Sequence, residues 1–235
     1  EVKVVYNPMS SSRFVPPHDS STMVIAPDDS SAKFVPPHDR IRGTVPSPVS
    51  NGSGMMKVPG MMKIVYVGRL NTGKNLEKWV DVAVDLHRRL NRTTFEIYGT
   101  GPLSQALTDK IRSLEAENYI PLPGYRSDIE NVFREADLLL FLSEYESFGN
   151  VVVESILCGT PVIASDIPSM REIFRDYPLF LVSTEGDLCG QIASRLQDYD
   201  SLADAAITAG TDFRERFSER AYISSLDKLY TSCNG

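Results

Sequence analysis

Beyond residue 61 the chain alternates between two hydrophobic patterns. Short, mostly apolar runs at 63–67, 94–98, 119–122, 138–142, 161–165 and 179–182 are bounded by Gly, Pro, Asp or Asn. Runs of that length and composition predict strands buried on both faces. Between them, apolar residues recur every three or four positions. In 74–90, Leu76, Val80, Ala83, Leu86 and Leu90 fall on one helical face. The same spacing predicts helices over 103–114, 129–136 and 151–158, and three more near 184–197, 200–214 and 218–232. Strands alternating with helices predict an α/β fold, a parallel sheet covered on both faces. Right-handed crossovers then bring every strand-to-helix loop to one sheet edge, where ligands of such sheets bind.

Residues 1–60 lack this alternation. They are rich in Pro and Ser and carry one short predicted strand at 2–6. A repeat follows: Ser12-Arg-Phe-Val-Pro-Pro-His-Asp19 and Ala32-Lys-Phe-Val-Pro-Pro-His-Asp39. His and Asp can both ligate metals, but two copies form no metal-site spacing. An extended, polyproline-like backbone accounts for Pro-Pro. Ser50-Asn-Gly-Ser-Gly54 reads as a joint or tight turn, so the chain divides into an irregular segment, 1–60, and a domain, 61–235.

Composition narrows the function. The 235 residues are 42% hydrophobic and 23% charged, which suits a globular core. A net charge of -7 argues against a nucleic-acid surface. No run is long enough to span a membrane, and Glu1 opens no signal-peptide pattern. Cys158, Cys189 and Cys233 are far apart and form no Cys-x-x-Cys, which points to a reducing, cytoplasmic setting.

The chemistry collects on the predicted loop edge. Glu144-Tyr-Glu-Ser-Phe-Gly-Asn-Val-Val-Val-Glu154 follows one strand and opens a helix. Two carboxylates, Glu146 and Glu154, flank Phe148, Gly149 and Asn150. Helix N-terminal N–H groups favour anions, and an acidic side chain one turn in can accept from a sugar diol. Gly68-Arg69 with Gly73-Lys74 follows the first strand, and Arg69 and Lys74 suit phosphate oxygens. Gly99-Thr-Gly101-Pro102 follows the second strand and Gly124-Tyr125-Arg126 the third. Each loop alone reads as an ordinary turn; together they make an anion and sugar pocket. The spacing is not a P-loop. Asp198-Tyr-Asp200 joins two predicted helices, and there Asp200 or Ser201 serves better as a cap than as a metal ligand.

These residues together resemble the C-terminal, donor-binding domain of a family 4 retaining glycosyltransferase of GT-B fold. The resemblance runs from about Met62 onward. It rests on Val67-Gly-Arg-Leu with Lys74-Asn75, Tyr98-Gly-Thr-Gly-Pro102, Gly124, the Glu146 to Glu154 motif, and Gly159-Thr-Pro-Val-Ile-Ala-Ser-Asp166. It implies a Rossmann-like domain that binds a nucleotide-sugar. Arg69 and Lys74 would hold the diphosphate, and Glu154 the ribose. Glu146 would touch the transferred sugar, beside the N–H groups of Phe148, Gly149 and Asn150. Gly68 and Gly101 would let the backbone approach the donor, and the Tyr125–Arg126 loop would face the base. No metal or other cofactor is expected. The acceptor would be a glycan, a lipid-linked sugar or a small molecule, the lipid-linked case placing the protein at the cytoplasmic face of a membrane.

The resemblance also implies a second, acceptor-binding domain upstream, which residues 1–60 are too few to form. The chain is therefore expected to bind donor without transferring sugar alone. Three rival readings remain: a non-catalytic nucleotide-sugar module, another GT-B enzyme such as a sugar epimerase or phosphorylase, and a flavodoxin-like domain without sugar chemistry. The last gives no reason for Glu146, Glu154, Arg69 and Lys74 to share one edge.

Overall fold

The computed structural model describes residues 60–224. The predicted strand at 2–6, the repeat, the turn at 50–54, and the end of the last helix beyond residue 224 lie outside the described residues. Five strands form one parallel sheet: β1 (Met62–Val67), β2 (Thr93–Tyr98), β3 (Leu138–Phe141), β4 (Val162–Ser165) and β5 (Leu181–Val182). Their spatial order is β2-β1-β3-β4-β5. The central strands are buried on both faces, and all four residues of β3 and of β4 are buried. That explains why they read as continuous apolar runs.

The predicted strand at 119–122 does not form, for a specific reason. Phe95 and Ile97 donate backbone N–H bonds to the carbonyls of Tyr119 (2.8 Å) and Pro121 (3.1 Å). In a parallel ladder the return bonds come from residues 121 and 123. Both are proline and have no N–H to give. The segment lies along β2 but joins it as a single bridge, Tyr98 to Gly124.

Seven helices lying wholly within the described residues surround the sheet: α1 (Leu76–Leu90), α2 (Ser104–Ser113), α3 (Ile129–Glu135), α4 (Asn150–Leu157), α5 (Pro168–Ile173), α6 (Leu188–Gln197) and α7 (Tyr199–Arg216), and a further helical run occupies 219–224. α1 packs against α2 and α6, while α4 packs against α3 and α7. The chain winds from β1 outward to β2 in one direction and from β3 to β5 in the other. With crossovers of one hand, α1 and α4 must cover opposite faces. α5 was not anticipated, although Pro168 at its first helical turn is a usual opening residue. α7 starts earlier than expected: Asp198 takes the cap position, and Asp200 lies in the first turn, where its charge favours the helix dipole.

The core closes over the sheet through aromatic side chains. Trp79 of α1 is fully buried and donates its indole N–H to the Leu140 carbonyl at 2.9 Å. Its ring meets Phe95 edge-on at 5.8 Å, and Tyr66 stacks over Phe141 at 6.4 Å. Under the other end, Phe174, Phe180, Phe213 and Phe217 form a second aromatic group. No helix of the described residues is long and apolar enough to cross a membrane.

The loops after β1 and β2 are locked together. Gly68 donates to the Tyr98 carbonyl, Leu70 to that of Thr100 (both 3.0 Å), and Leu103 back to Leu70 (3.1 Å). This approach requires glycine. A Cβ on Gly99, whose φ is +136°, would lie 1.8 Å from the Gly68 carbonyl oxygen. One on Gly101 would lie 2.2 Å from that of Leu70. Gly101 is thus accounted for by packing.

Gly99→Ala adds backbone strain to a clash that only a backbone shift relieves, so it should cost about 2–4 kcal/mol in urea unfolding. Burial pushes the Cys158 thiol up from its ordinary 9.0 to about 12. The folded state then keeps a proton that the unfolded chain releases. The contribution of Cys158 to stability is present below pH 9 and falls as pH rises toward 12. Iodoacetamide at pH 8 should spare Cys158 in the native chain and modify it in urea, as peptide mass mapping would show. Native alkylation at Cys158 would contradict its burial.

Candidate functional site

Strand order reverses at β1 and β3, which are adjacent although β2 lies between them in the chain. At the carboxyl edge of that pair the loops diverge and leave a crevice. The loop after β1 enters from one side with Gly68, Arg69 and Lys74. The loop after β3 enters from the other with Glu146, Ser147, Phe148 and Gly149. A hydrogen bond from the Glu144 N–H to the Gly73 carbonyl (3.2 Å) ties the two loops. Between them lies a cavity of about 280 Å³. Gly68, Arg69, Lys74, Glu146, Phe148, Gly149 and Asn150, all singled out from sequence, line it.

Each residue is held by its local structure. Lys74 closes a 3₁₀ turn at Thr72–Lys74, and Asn75 takes a left-handed conformation (φ 53°) that passes the chain into α1. Lys74 pairs directly with Glu146. Ser143 donates to the same Glu146 oxygen at 3.3 Å, and the Lys74 ammonium lies 5.7 Å from the centre of the Phe141 ring. Burial, with Glu146 adding to it, raises the Tyr66 hydroxyl well above the ordinary tyrosine range. Tyr66 therefore stays neutral and donates to the Arg69 carbonyl at 3.2 Å. Arg69 itself is exposed, and among the described residues no carboxylate pairs with its guanidinium.

Gly149 caps α4 at φ +89°, a conformation that favours glycine. No side chain caps this helix end. Val152 donates to the Gly149 carbonyl at 3.0 Å, which leaves the N–H groups of Asn150 and Val151 to meet an anion at the cavity. Phe148 packs edge-on against Phe217 at 5.6 Å, which braces the loop from the end of α7. Glu154 is half-buried one turn further along α4 from Asn150. Neither Glu154 nor Gly101 lines a cavity described here.

A second cavity of about 410 Å³ adjoins the first and shares Val67, Gly68 and Arg69 with it. Tyr98, Gly99, Thr100, Tyr125, Arg126 and Ile129 complete its lining. Tyr125 is 74% exposed, so its ring is available rather than spent on packing. Arg126 is different: its guanidinium forks onto Asp128, with Nε 2.7 Å from Oδ1. Its hydrogen bond holds the Asp128 carboxyl well below the usual range. Arg126 thus reaches the cavity with its charge already matched. Tyr98 was not singled out from sequence as a site residue, nor was Asp128. Tyr98 donates to Glu96, which also pairs with Lys63 at 2.9 Å. Its position ending a predicted strand on the loop edge was the available signal. Among the described residues no group of three or more His, Cys, Asp or Glu could hold a metal ion.

Residues 57–222 match the family model of glycosyl transferases group 1. The chain is 30% identical over 111 residues to the GtfA subunit of the UDP-N-acetylglucosamine–peptide N-acetylglucosaminyltransferase of Streptococcus pneumoniae, covering 47% of this chain and 22% of that protein. It is 25% identical over 150 residues to 2-deoxystreptamine N-acetyl-D-glucosaminyltransferase of Niallia circulans, covering 62% and 39%. The crystal structure of Anabaena Alr3699/HepE in complex with UDP superimposes with a TM-score of 0.65 at 23% identity, covering 73% of this chain and 49% of that one. The chain thus spans less than half of each relative. With a family model matched across the whole sheet and the loops around both cavities, the chain belongs to the glycosyl transferases group 1.

Proposed function

We propose that residues 60–224 bind a nucleotide-sugar, with UDP as the nucleotide, as the donor half of a retaining, family 4 glycosyltransferase of GT-B fold. The observation that carries this reading is the convergence of two cations, a carboxylate and an uncapped helix end on one cavity at the strand-order reversal. The adjoining, largely apolar cavity with its exposed tyrosine suits a flat base. UDP is chosen because relatives use or hold it: one is named for UDP-N-acetylglucosamine and another structure contains UDP.

In this reading, Arg69, Lys74 and the N–H groups of α4 hold the diphosphate. The leaving nucleoside diphosphate gains negative charge as the sugar departs. Fixed donors stabilise that charge more than the ground state and so lower the barrier. These groups would do without a divalent metal. Glu146 meets the sugar and acts as a positioning carboxylate, with Phe148, Gly149 and Asn150 beside it. Glu154 takes the ribose diol after a side-chain movement into the crevice. Gly68 and the Tyr125–Arg126 backbone border the base. Acceptor contacts come from outside residues 60–224, so those residues alone bind donor without transferring sugar. Cys158 and Cys189, both buried free thiols, fit a reducing compartment.

Thermal unfolding with UDP, GDP, ADP and their sugar conjugates tests the reading. Saturation at a hundred times the dissociation constant adds about 2.7 kcal/mol, a midpoint shift of a few degrees. UDP compounds should give that shift, and Glu154→Ala should reduce it. No shift with any nucleotide would refute donor binding. Robust sugar transfer by residues 60–224 alone would overturn the claim that they act only as the donor half.

A further inference from the structure

The two cations of the phosphate side stand in different conditions. Arg69 is exposed, with no carboxylate partner among the described residues. Lys74 is paired with Glu146, and the two side chains are only 18% and 11% exposed. The pair is not a loose surface contact. Ser143 bonds to the same carboxylate oxygen at 3.3 Å, and the Gly73–Glu144 backbone bond of 3.2 Å holds the two loops in register. A partly buried ion pair held from both sides resists separation more than an exposed one.

A diphosphate entering the cavity must therefore compete for Lys74 with a carboxylate that is already fixed. Its own charge also comes to lie near that carboxylate. A nucleotide-sugar carries hydroxyls next to its phosphates. These can donate to Glu146 and replace the bond it loses from Lys74. A bare nucleoside diphosphate has hydroxyls only on its ribose, none beyond the terminal phosphate, so beside Lys74 it meets the Glu146 charge as repulsion instead.

Resting on the donor-site reading above, we propose that Glu146 is the residue that distinguishes the sugar-bearing donor from the nucleoside diphosphate product, by competing for Lys74. Once the sugar has left, Glu146 returns to Lys74 and weakens the hold on the diphosphate. Its contribution then falls on product release as well as on sugar positioning.

Calorimetric titration of the 235-residue chain with UDP, UDP-glucose and UDP-N-acetylglucosamine tests this. The probe variant is Glu146→Gln, which keeps the shape and removes the charge. UDP should bind the variant about tenfold more tightly, while the sugar conjugates should not gain. In a Lys74→Met background the same substitution should raise UDP affinity by much less than tenfold, because the competition is gone and only the direct repulsion remains; a gain as large as in the parent background would overturn the proposal. Equal changes for UDP and its conjugates would indicate a structural role and overturn the proposal. So would weaker or unaltered UDP binding in Glu146→Gln. If the parent chain binds none of the three, the donor reading fails and this proposal with it. Parent binding with an unaltered preference defeats this proposal alone.

Discussion

β1 pairs with β2 on one side and with β3 on the other, and the chain winds away from it in both directions. The site depends on this arrangement. Parallel strands of one hand place their following loops on a common edge, and only where the winding reverses do two neighbouring loops part. β1 and β3 meet over only two residue pairs, Ile64 with Leu138 and Val65 with Leu139. The contact is reinforced at its start: Asp137 is fully buried, its carboxylate accepts the Lys63 N–H at 2.7 Å, and its carbonyl accepts the Tyr199 hydroxyl. That anchor, far from the cavity, keeps the two carboxyl ends in register.

Charge at the site is divided according to burial. Side chains deep in the crevice are matched inside the protein, as Lys74 is by Glu146. Arg126 is matched by Asp128 at the rim of the second cavity. Arg69 is left facing solvent. An unmatched cation costs little where water reaches it and much where water does not. The exposed cation is therefore the one able to meet an anion first. The buried cation already has a carboxylate partner, with which an anion has to compete. Specificity by competition, rather than by attraction alone, follows from where the fold permits an unpaired charge.

The strands and helices were legible because burial on two faces demands continuous apolar strands, and one-sided burial demands helical periodicity. The run at 119–122 shows the limit of that reading. Its hydropathy matched a strand, but Pro121 and Pro123 remove the return donors, so apolar character without N–H groups gives a covered edge and no ladder. α5 was missed because six residues are too few for periodicity to speak. The start of α7 was misplaced since Asp198, Asp200 and Ser201 are all acceptable near a helix N-terminus, and only backbone dihedrals choose among them. At the site, Arg69, Lys74, Glu146 and Gly149 were visible as charged or glycine residues on predicted loops. Tyr98 was hidden by its membership of a strand, and Asp128 by its resemblance to any helix-opening acid.

By itself, the sequence determined which charged and glycine residues share the loop edge. Alternating strands and helices of fixed hand leave little choice of edge, and the Glu146 to Glu154 segment with Arg69 and Lys74 has few other uses. The tertiary structure alone decided the pairings. Lys74 meets Glu146 across 72 residues of chain, and Gly99 meets Gly68 across 31, because strand order brings together loops that no local pattern relates. The Arg126–Asp128 pair, by contrast, is local, only two residues apart, whereas the fold decided that Arg69 has no carboxylate partner among the described residues. Whether a charge is paired depends on burial and on neighbours brought in by the fold, and neither is a property of the residue's own position in the chain.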